Sequence, residues 1–308
     1  MMFKLIDIGA NLLDSVYQGE YNGKKQHETD LDSIFQRAKA VGVEKIIVTA
    51  GTQQESQDAI TFTQAWGKSM PGLYSTVGVH PTRCTELEEG ASSIARLIEI
   101  GKTPDSKIAA IGEIGLDYER LQFCPQDVQK KWFETMLCDL SDSLQLPLFL
   151  HMREAASDFL DIMARNRTHW EQYGGVVHSF TGTPDDVQQI LSLGLSIGIN
   201  GCSLKTKENV EAVKLIPEDK LLLETDAPYC EIRPSHASYA GAAETFKTMA
   251  AQWPEVRKDR FKEGCRVKSR NEPCGMLPVL AAVAEIRGVP KDQLAEAVYK
   301  NTVSLFKF

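Results

Sequence analysis

The sequence lacks a paired arrangement of cysteines. It contains seven cysteines, an odd number, and no CxxC pair, so it indicates neither a disulfide framework nor a zinc ribbon. We therefore expect reduced thiols in an intracellular protein. The seven residues are Cys84, Cys124, Cys138, Cys202, Cys230, Cys265 and Cys274.

Long apolar runs and an excess of positive charge are also absent. No segment approaches the ~20 apolar residues of a membrane span, and an acid as early as Asp7 argues against a signal peptide. The formal net charge of −8 excludes nucleic-acid binding by bulk charge alone. A local basic patch is still possible, because residues 257–270 contain seven Lys or Arg. We expect a protein of the cytoplasm or nucleus without membrane association.

What the sequence does contain is a regular alternation of short apolar runs with amphipathic segments. Helical spacing of apolar residues is visible over 126–144 and over 30–41, where Asp30 is the predicted N-cap. Eight apolar runs have the character of strands. They are Lys4–Ile8, Lys45–Ala50, Tyr74–Val79, Ile108–Glu113, Pro147–His151, Gly175–His178, Leu195–Ile199 and Lys220–Thr225.

This alternation predicts an α/β fold in which eight strand–helix units close into a (β/α)₈ barrel. A doubly wound sheet is the alternative, but no G-x-G-x-x-G motif follows a strand. We expect residues 1–308 to form one domain. A loop and helical insertion is expected at about residues 229–273, after the eighth strand, and a final helical region at 277–306.

Four of the predicted strands end in residues that commonly bind metals. The C-terminal ends of barrel strands meet on one face, so these side chains should share a pocket. Two imidazoles and two carboxylates suit Zn²⁺, Mn²⁺ or Mg²⁺ with positions left for water, although a single buried histidine is more often a hydrogen-bonded core residue. The predicted metal ligands are Glu113, His151, His178 and Asp226. Because a carboxylate can bridge two metals, Glu113 is the candidate bridge. Asp226 is the candidate proton acceptor.

Other polar residues lie near the same predicted face. His80 follows the third strand and is expected either to contact substrate or to hydrogen-bond at the rim. Arg153, two residues after His151, and Ser179, next to His178, can hold an anionic oxygen. Arg153 could equally form an ion pair near Glu154 or with another carboxylate. Glu224 lies two residues before Asp226, so it points the same way but deeper. It is expected either to orient a ligand or to form a structural salt bridge.

Eight short motifs occur in a characteristic order. They are Ile6–Leu12, Gly78–Pro81, Gly112–Asp117, Leu150–Arg153, Val177–Gly182, Gly198–Gly201, Glu224–Tyr229 and Arg270–Pro273. Together they resemble the TatD family of metal-dependent deoxyribonucleases, especially its eukaryotic subgroup, over essentially the whole chain. The resemblance implies a TIM barrel of the metallo-dependent hydrolase type with the four ligands named above. It also implies hydrolysis of DNA, often as a 3′–5′ exonuclease, with Mg²⁺ as a common activator.

The sequence departs from the family pattern in two places. Gly9 and Asn11 occupy the positions where many relatives have His-x-His, and Gly275 replaces a usual histidine that could contact substrate. The ligands of the first metal site are then carboxylates and at most the amide of Asn11. Asn11 is also a candidate substrate contact. Oxygen-rich sites favour hard ions. We expect two ions, a weakly held Mg²⁺ or Mn²⁺ there beside a tighter site at the histidines.

Two other functions are left open by the sequence. The same pocket could serve an amidohydrolase-type enzyme acting on a small ester, lactone or amide, since fold does not determine function. Alternatively, the chain could bind nucleic acid without turnover. Residues 257–270 could return to the catalytic rim and attract DNA, or form a solvated surface. No obligate protein partner is implied, and we expect a monomer or a weak oligomer.

Overall fold

The computed structural model describes residues 3–90 and 93–308. Eight parallel strands form one sheet in chain order. They are β1 (Leu5–Ala10), β2 (Val43–Val48), β3 (Leu73–Val77), β4 (Ile108–Asp117), β5 (Leu148–Arg153), β6 (Gly175–Val177), β7 (Ser196–Ile199) and β8 (Leu221–Leu223). Each of the eight predicted runs overlaps one of these strands, although five of the strands extend beyond the predicted bounds. The predicted fold class is confirmed.

Backbone hydrogen bonds after β8 complete the barrel. The amide of Asp226 donates to the carbonyl of Gly9 at 2.8 Å, and the amide of Asn11 donates to the carbonyl of Ala227 at 2.7 Å. The last segment therefore returns to β1. Because all eight strands are parallel, their C-terminal ends lie on one face.

The helices cover the outside of this sheet. Over the described residues they are α1 (Leu31–Ala40), α2 (Gln53–Trp66), α3 (Thr85–Glu88), α4 (Ile94–Gly101), α5 (Gln126–Leu144), α6 (Ala156–Arg165), α7 (Arg167–Trp170), α8 (Pro184–Ser192), α9 (Lys207–Leu215), α10 (Tyr239–Gln252), α11 (Met276–Arg287) and α12 (Lys291–Phe306). In this part of the chain, no helix has the length and apolar character needed to cross a membrane.

The core has two layers. The larger cluster joins the helices to the outer side of the strands. A smaller cluster fills the barrel interior. This location follows from its strand residues, which come from six different strands. These are Ile6, Ile8, Ile47, Ala109, Ala110, Phe149, Val176 and Leu222. Burial of this apolar surface, at about 25 cal/mol per Å², is the main stabilisation of the frame that carries the strand ends.

The segment between β8 and α11 is attached to the barrel by buried ion pairs. Arg270 donates to both carboxylate oxygens of Asp30, at 2.6 and 2.8 Å, and to Glu272 at 3.1 Å. Arg37 of α1 donates to Glu272 at 2.6 and 3.2 Å. All four side chains are buried. Asp30 therefore precedes α1 as predicted, but it makes no side-chain cap hydrogen bond, because its carboxylate binds arginine instead.

Glu272→Gln should destabilise the fold strongly. The change leaves the buried guanidinium groups of Arg37 and Arg270 with one negative charge fewer, and breaking a buried pair typically costs about 3–5 kcal/mol. Urea unfolding followed by circular dichroism would measure the loss.

Asp259→Asn is the matched control for this experiment. It removes an exposed pair with Arg257, and exposed pairs contribute little. Equal unfolding midpoints for the two variants would contradict a stabilising role of the buried network.

Candidate functional site

A cavity of about 550 Å³ lies at the C-terminal ends of the strands. All four predicted metal ligands line it, and so do the four predicted substrate contacts, Asn11, His80, Arg153 and Ser179. The structure thus brings together residues that are up to 215 positions apart in the chain. One difference from the sequence prediction is the position of Glu113, which is inside a strand, since β4 continues to Asp117.

Glu113 lies at the centre of the cavity floor. Its Oε1 atom is 2.7 Å from His151 Nδ1, 2.8 Å from His178 Nε2 and 3.4 Å from His80 Nε2. Burial alone would raise the pKa of Glu113, but the neighbouring imidazoles hold it well below its usual value. Glu113 is therefore an ionised carboxylate that the surrounding rings compensate.

Both predicted histidine ligands also face a second carboxylate. His151 Nε2 is 3.2 Å from Asp117 Oδ2, and His178 Nδ1 is 3.4 Å from Glu224 Oε2 without the alignment of a hydrogen bond. Burial opposes protonation, but these carboxylates and Glu113 raise the pKa of His151, and that of His178 well above its usual value.

A divalent cation fits this donor set. A neutral imidazole has one N–H, so it cannot donate to carboxylates from both ring nitrogens. A cation between Glu113 and the facing nitrogens of His151 and His178 would remove this conflict. Two imidazoles and a carboxylate are ordinary ligands of divalent metals, and their donor atoms lie within 4.8 Å of one another. The site therefore suggests divalent metal binding.

Asp226 lies in the same cavity but outside this compact group of donors. Asn11 Nδ2 donates to its Oδ1 at 2.8 Å, and Thr49 donates to the Asn11 amide oxygen at 2.7 Å. Loss of hydration, together with the negative charges of Glu224 and Glu113, raises the pKa of Asp226 to about 7. In this structure, Asn11 therefore orients Asp226.

Gly9 makes room for Glu224. A Cβ atom at position 9 would lie 2.6 Å from Glu224 Oε2 and 3.0 Å from the Phe149 ring. Glu224 is fully buried, and it also accepts hydrogen bonds from the Ser179 amide and, at 3.3 Å, from Asn200. The carboxylate therefore occupies the space behind His178 that a side chain at position 9 would need.

Gly275, the second departure from the family pattern, is not part of the cavity lining. It is buried at the start of α11, where a Cβ atom would lie 2.5 Å from Asn271 Oδ1. Asn271 in turn donates to the carbonyls of Thr225 and Tyr229, at 3.1 and 2.8 Å. A side chain at position 275 would therefore affect the loop around Asp226 indirectly, through its contact with Asn271 outside the cavity lining.

The cavity mouth carries residues that the sequence analysis did not identify. Arg83 and Arg120 line it beside the predicted Arg153, and so does Tyr229, which is 55% exposed. Arg153 also pairs with Glu119 at 3.2 Å. Three guanidinium groups thus surround a floor of carboxylates and imidazoles. The loops that bring them together gave no local signal in the sequence.

The basic run at 257–270 does not line the cavity. Two of its seven cations, Arg266 and Arg270, are buried in ion pairs, the first with Glu231 and Glu255 at 3.3 and 3.2 Å. Lys258 lies over the Tyr21 ring. Of the two alternatives left open by the sequence, the structure therefore does not favour a return to the catalytic rim, because none of these residues lines the cavity and two of the charges attach the segment to the barrel.

Cys202 and Cys230 form a disulfide, which corrects the expectation of seven reduced thiols. Their Cα atoms are 4.9 Å apart, within the range that a disulfide needs. The two residues follow adjacent strands, β7 and β8, and both line the cavity. The other five cysteines are free. Sequence spacing could not reveal this pair, because the barrel brings together two loops that are 28 residues apart.

Peptide mapping of the protein without reduction should therefore recover Cys202 and Cys230 cross-linked, and alkylation of the unfolded chain should label five cysteines. Cys202→Ser should raise the number labelled to six, because Cys230 loses its partner. Seven labelled cysteines in the unmodified protein would contradict the pairing.

Comparison with known proteins assigns the family. The model of the family described as TatD related DNase matches residues 6–307. The chain belongs to this family. It is 41% identical to the deoxyribonuclease Tat-D of Schizosaccharomyces pombe, over 98% of this chain and 95% of the relative. It is 32% identical to the 3′-5′ ssDNA/RNA exonuclease TatD of Pantoea vagans, over 98% and 99% of the two chains.

The fold comparison agrees with the family. A crystal structure of a TatD family hydrolase from Entamoeba histolytica superposes with a TM-score of 0.89 and 33% identity, covering 99% of this chain and 98% of that one. The predicted resemblance and the predicted enzyme class, a hydrolase, are thus confirmed.

Proposed function

We propose that this member of the TatD family is a divalent-metal-dependent deoxyribonuclease that removes nucleotides from the 3′ end of DNA. The observation that carries the proposal is the single oxygen of Glu113, which three imidazoles approach within 3.4 Å. Family membership supports the substrate class, and the relative named a 3′-5′ exonuclease supports the direction.

The metal ligands in this proposal are Glu113 Oε1, His151 Nδ1 and His178 Nε2, with Asp226 at a second position. A bound divalent cation would polarise the phosphodiester and lower the pKa of a water molecule. Mg²⁺ or Mn²⁺ suits the carboxylate side of the cavity, where Asn11 and Asp226 offer oxygen atoms, and Zn²⁺ suits the imidazole side.

Asp226 is the proton acceptor in this mechanism. This role rests on its position in the cavity and not on its raised pKa, because a cation bound at this carboxylate would lower that pKa. Asn11 holds Oδ1 by a hydrogen bond of 2.8 Å, and Oδ2, which lies 3.3 Å from Cys230 Sγ, is the oxygen that would receive the proton.

The cavity mouth fits a polyanionic strand. Arg83, Arg120 and Arg153 can hold phosphate oxygens by charge-assisted hydrogen bonds. The exposed ring of Tyr229 offers a base-stacking surface of the kind used for single strands. His80 Nε2 and Ser179 Oγ lie deeper, where they can bind the phosphate that is being hydrolysed.

Glu113→Gln should abolish hydrolysis of an end-labelled single-stranded oligonucleotide in Mg²⁺ or Mn²⁺. Loss of a direct ligand should reduce the rate by more than about 100-fold, since loss of an outer partner already costs 10–100-fold. Oligonucleotides labelled at either end, analysed on denaturing gels, would report both the rate and the direction of cleavage.

The matched control is Glu134→Gln, a half-buried glutamate that pairs with Arg165 and does not line the cavity. It should cleave at the wild-type rate. Undiminished cleavage by Glu113→Gln would refute the proposal. If the wild-type protein retained DNA without cleaving it, it would be a binding protein. If the wild-type protein turned over only members of an ester and lactone panel, it would be a small-molecule hydrolase.

A further inference from the structure

Asp117 lies behind His151 and was not recognised as a site residue from the sequence. It is fully buried at the end of β4. Its Oδ2 atom is 3.2 Å from His151 Nε2 and 3.5 Å from the guanidinium of Arg120. Its Oδ1 atom has no hydrogen-bond partner among residues 3–90 and 93–308. The strongest contact of this carboxylate is therefore with an imidazole of the proposed metal centre.

The backbone of Asp117 is held in place from the outside of the barrel. The side-chain amide of Gln129, which is fully buried in α5, accepts from the Asp117 amide at 2.8 Å and donates to its carbonyl at 2.9 Å. Gly115 has φ +146°, and a Cβ atom there would lie 1.9 Å from the His151 carbonyl oxygen. β4 therefore runs directly against β5, which brings Asp117 within reach of the ring.

We propose that Asp117 is a positioning residue that fixes the tautomer and ring orientation of His151. The inference rests on the proposed metal centre. A neutral imidazole that donates from Nε2 to Asp117 keeps its lone pair on Nδ1. Nδ1 is the atom that lies 2.7 Å from Glu113 Oε1. Carboxylates that accept the second N–H of a ligating histidine in this way orient the ring and raise its basicity.

A separate cation site is the competing explanation, because His80, Asp117 and His151 also place donor atoms within 4.8 Å of one another. Two contacts argue against it. His80 Nδ1 is engaged by Thr82, at 2.7 Å from its hydroxyl, and His80 Nε2 is directed at Glu113. His151 would have to bind one cation through each nitrogen, which requires loss of both ring protons. The positioning role needs only the neutral ring.

The test compares Asp117→Ala and Asp117→Asn with the wild-type full-length chain, without DNA. Mn²⁺ binding to the metal-free protein, measured by competition with a chelator, should weaken about 10- to 100-fold in Asp117→Ala. It should weaken less in Asp117→Asn, whose amide oxygen still accepts a hydrogen bond. The number of Mn²⁺ ions bound at saturation should not change.

A second readout separates positioning from general stability. In protein loaded with diamagnetic Zn²⁺, the ¹⁵N chemical shift of His151 Nε2 should be that of an N–H hydrogen-bonded to a carboxylate, and in Asp117→Ala it should move towards that of an N–H without this acceptor. Asp142→Asn is the matched control. Asp142 faces the half-buried His169 at 2.9 Å, and neither residue lines the cavity, so the same type of pair is changed outside the site. This variant should bind Mn²⁺ as wild type does.

Three results would overturn the inference. These are an unchanged Mn²⁺ affinity in both Asp117 variants, an unchanged Nε2 shift in Asp117→Ala, or the loss of one whole ion from the stoichiometry, which would assign Asp117 as a direct ligand. Absence of Mn²⁺ binding by the wild-type protein would contradict the proposed function instead. If Asp117→Ala fails to fold, Asp117→Asn provides both readouts.

Discussion

The site depends on how one buried carboxylate oxygen is compensated. Glu113 Oε1 is surrounded by imidazoles from three different strand ends, those of β3, β5 and β6. An isolated ionised carboxylate would be too costly to bury. The barrel therefore has to hold His80, His151 and His178 close to it, and this requirement determines how the neighbouring glycines, loops and carboxylates are arranged.

Behind the central group lies an outer set of acids. Asp117 lies 3.2 Å from the Nε2 atom of His151, and Glu224 lies 3.4 Å from the Nδ1 atom of His178. A third acid, Asp226, accepts a hydrogen bond from Asn11. The inner and outer carboxylates together place more negative charge at the strand ends than neutral imidazoles can balance. Such an excess is what a cation site requires. The same excess of negative charge would repel an anionic strand. The arginines at the cavity mouth can attract such a strand towards the acidic floor.

The segment after β8 contributes in an indirect way. Its Arg270 pairs with Asp30, directly before α1, and with Glu272, which Arg37 of α1 also binds, so the segment is anchored to α1. None of the seven basic residues at 257–270 lines the cavity. Through this anchor, Asn271 reaches the carbonyls on both sides of Asp226. Asp226 itself has a positive φ of 53°, a conformation that surrounding contacts must hold.

The sequence by itself determined the eight strands and the residues at or near their ends, because strand periodicity is local and parallel strands always bring their C-terminal ends to one face. It could not show that β4 continues to Asp117 behind His151. It could not reveal that Cys202 meets Cys230, or that Arg270 is buried against Asp30. Only the tertiary structure decided these contacts, because each depends on the distance between elements that lie far apart along the chain.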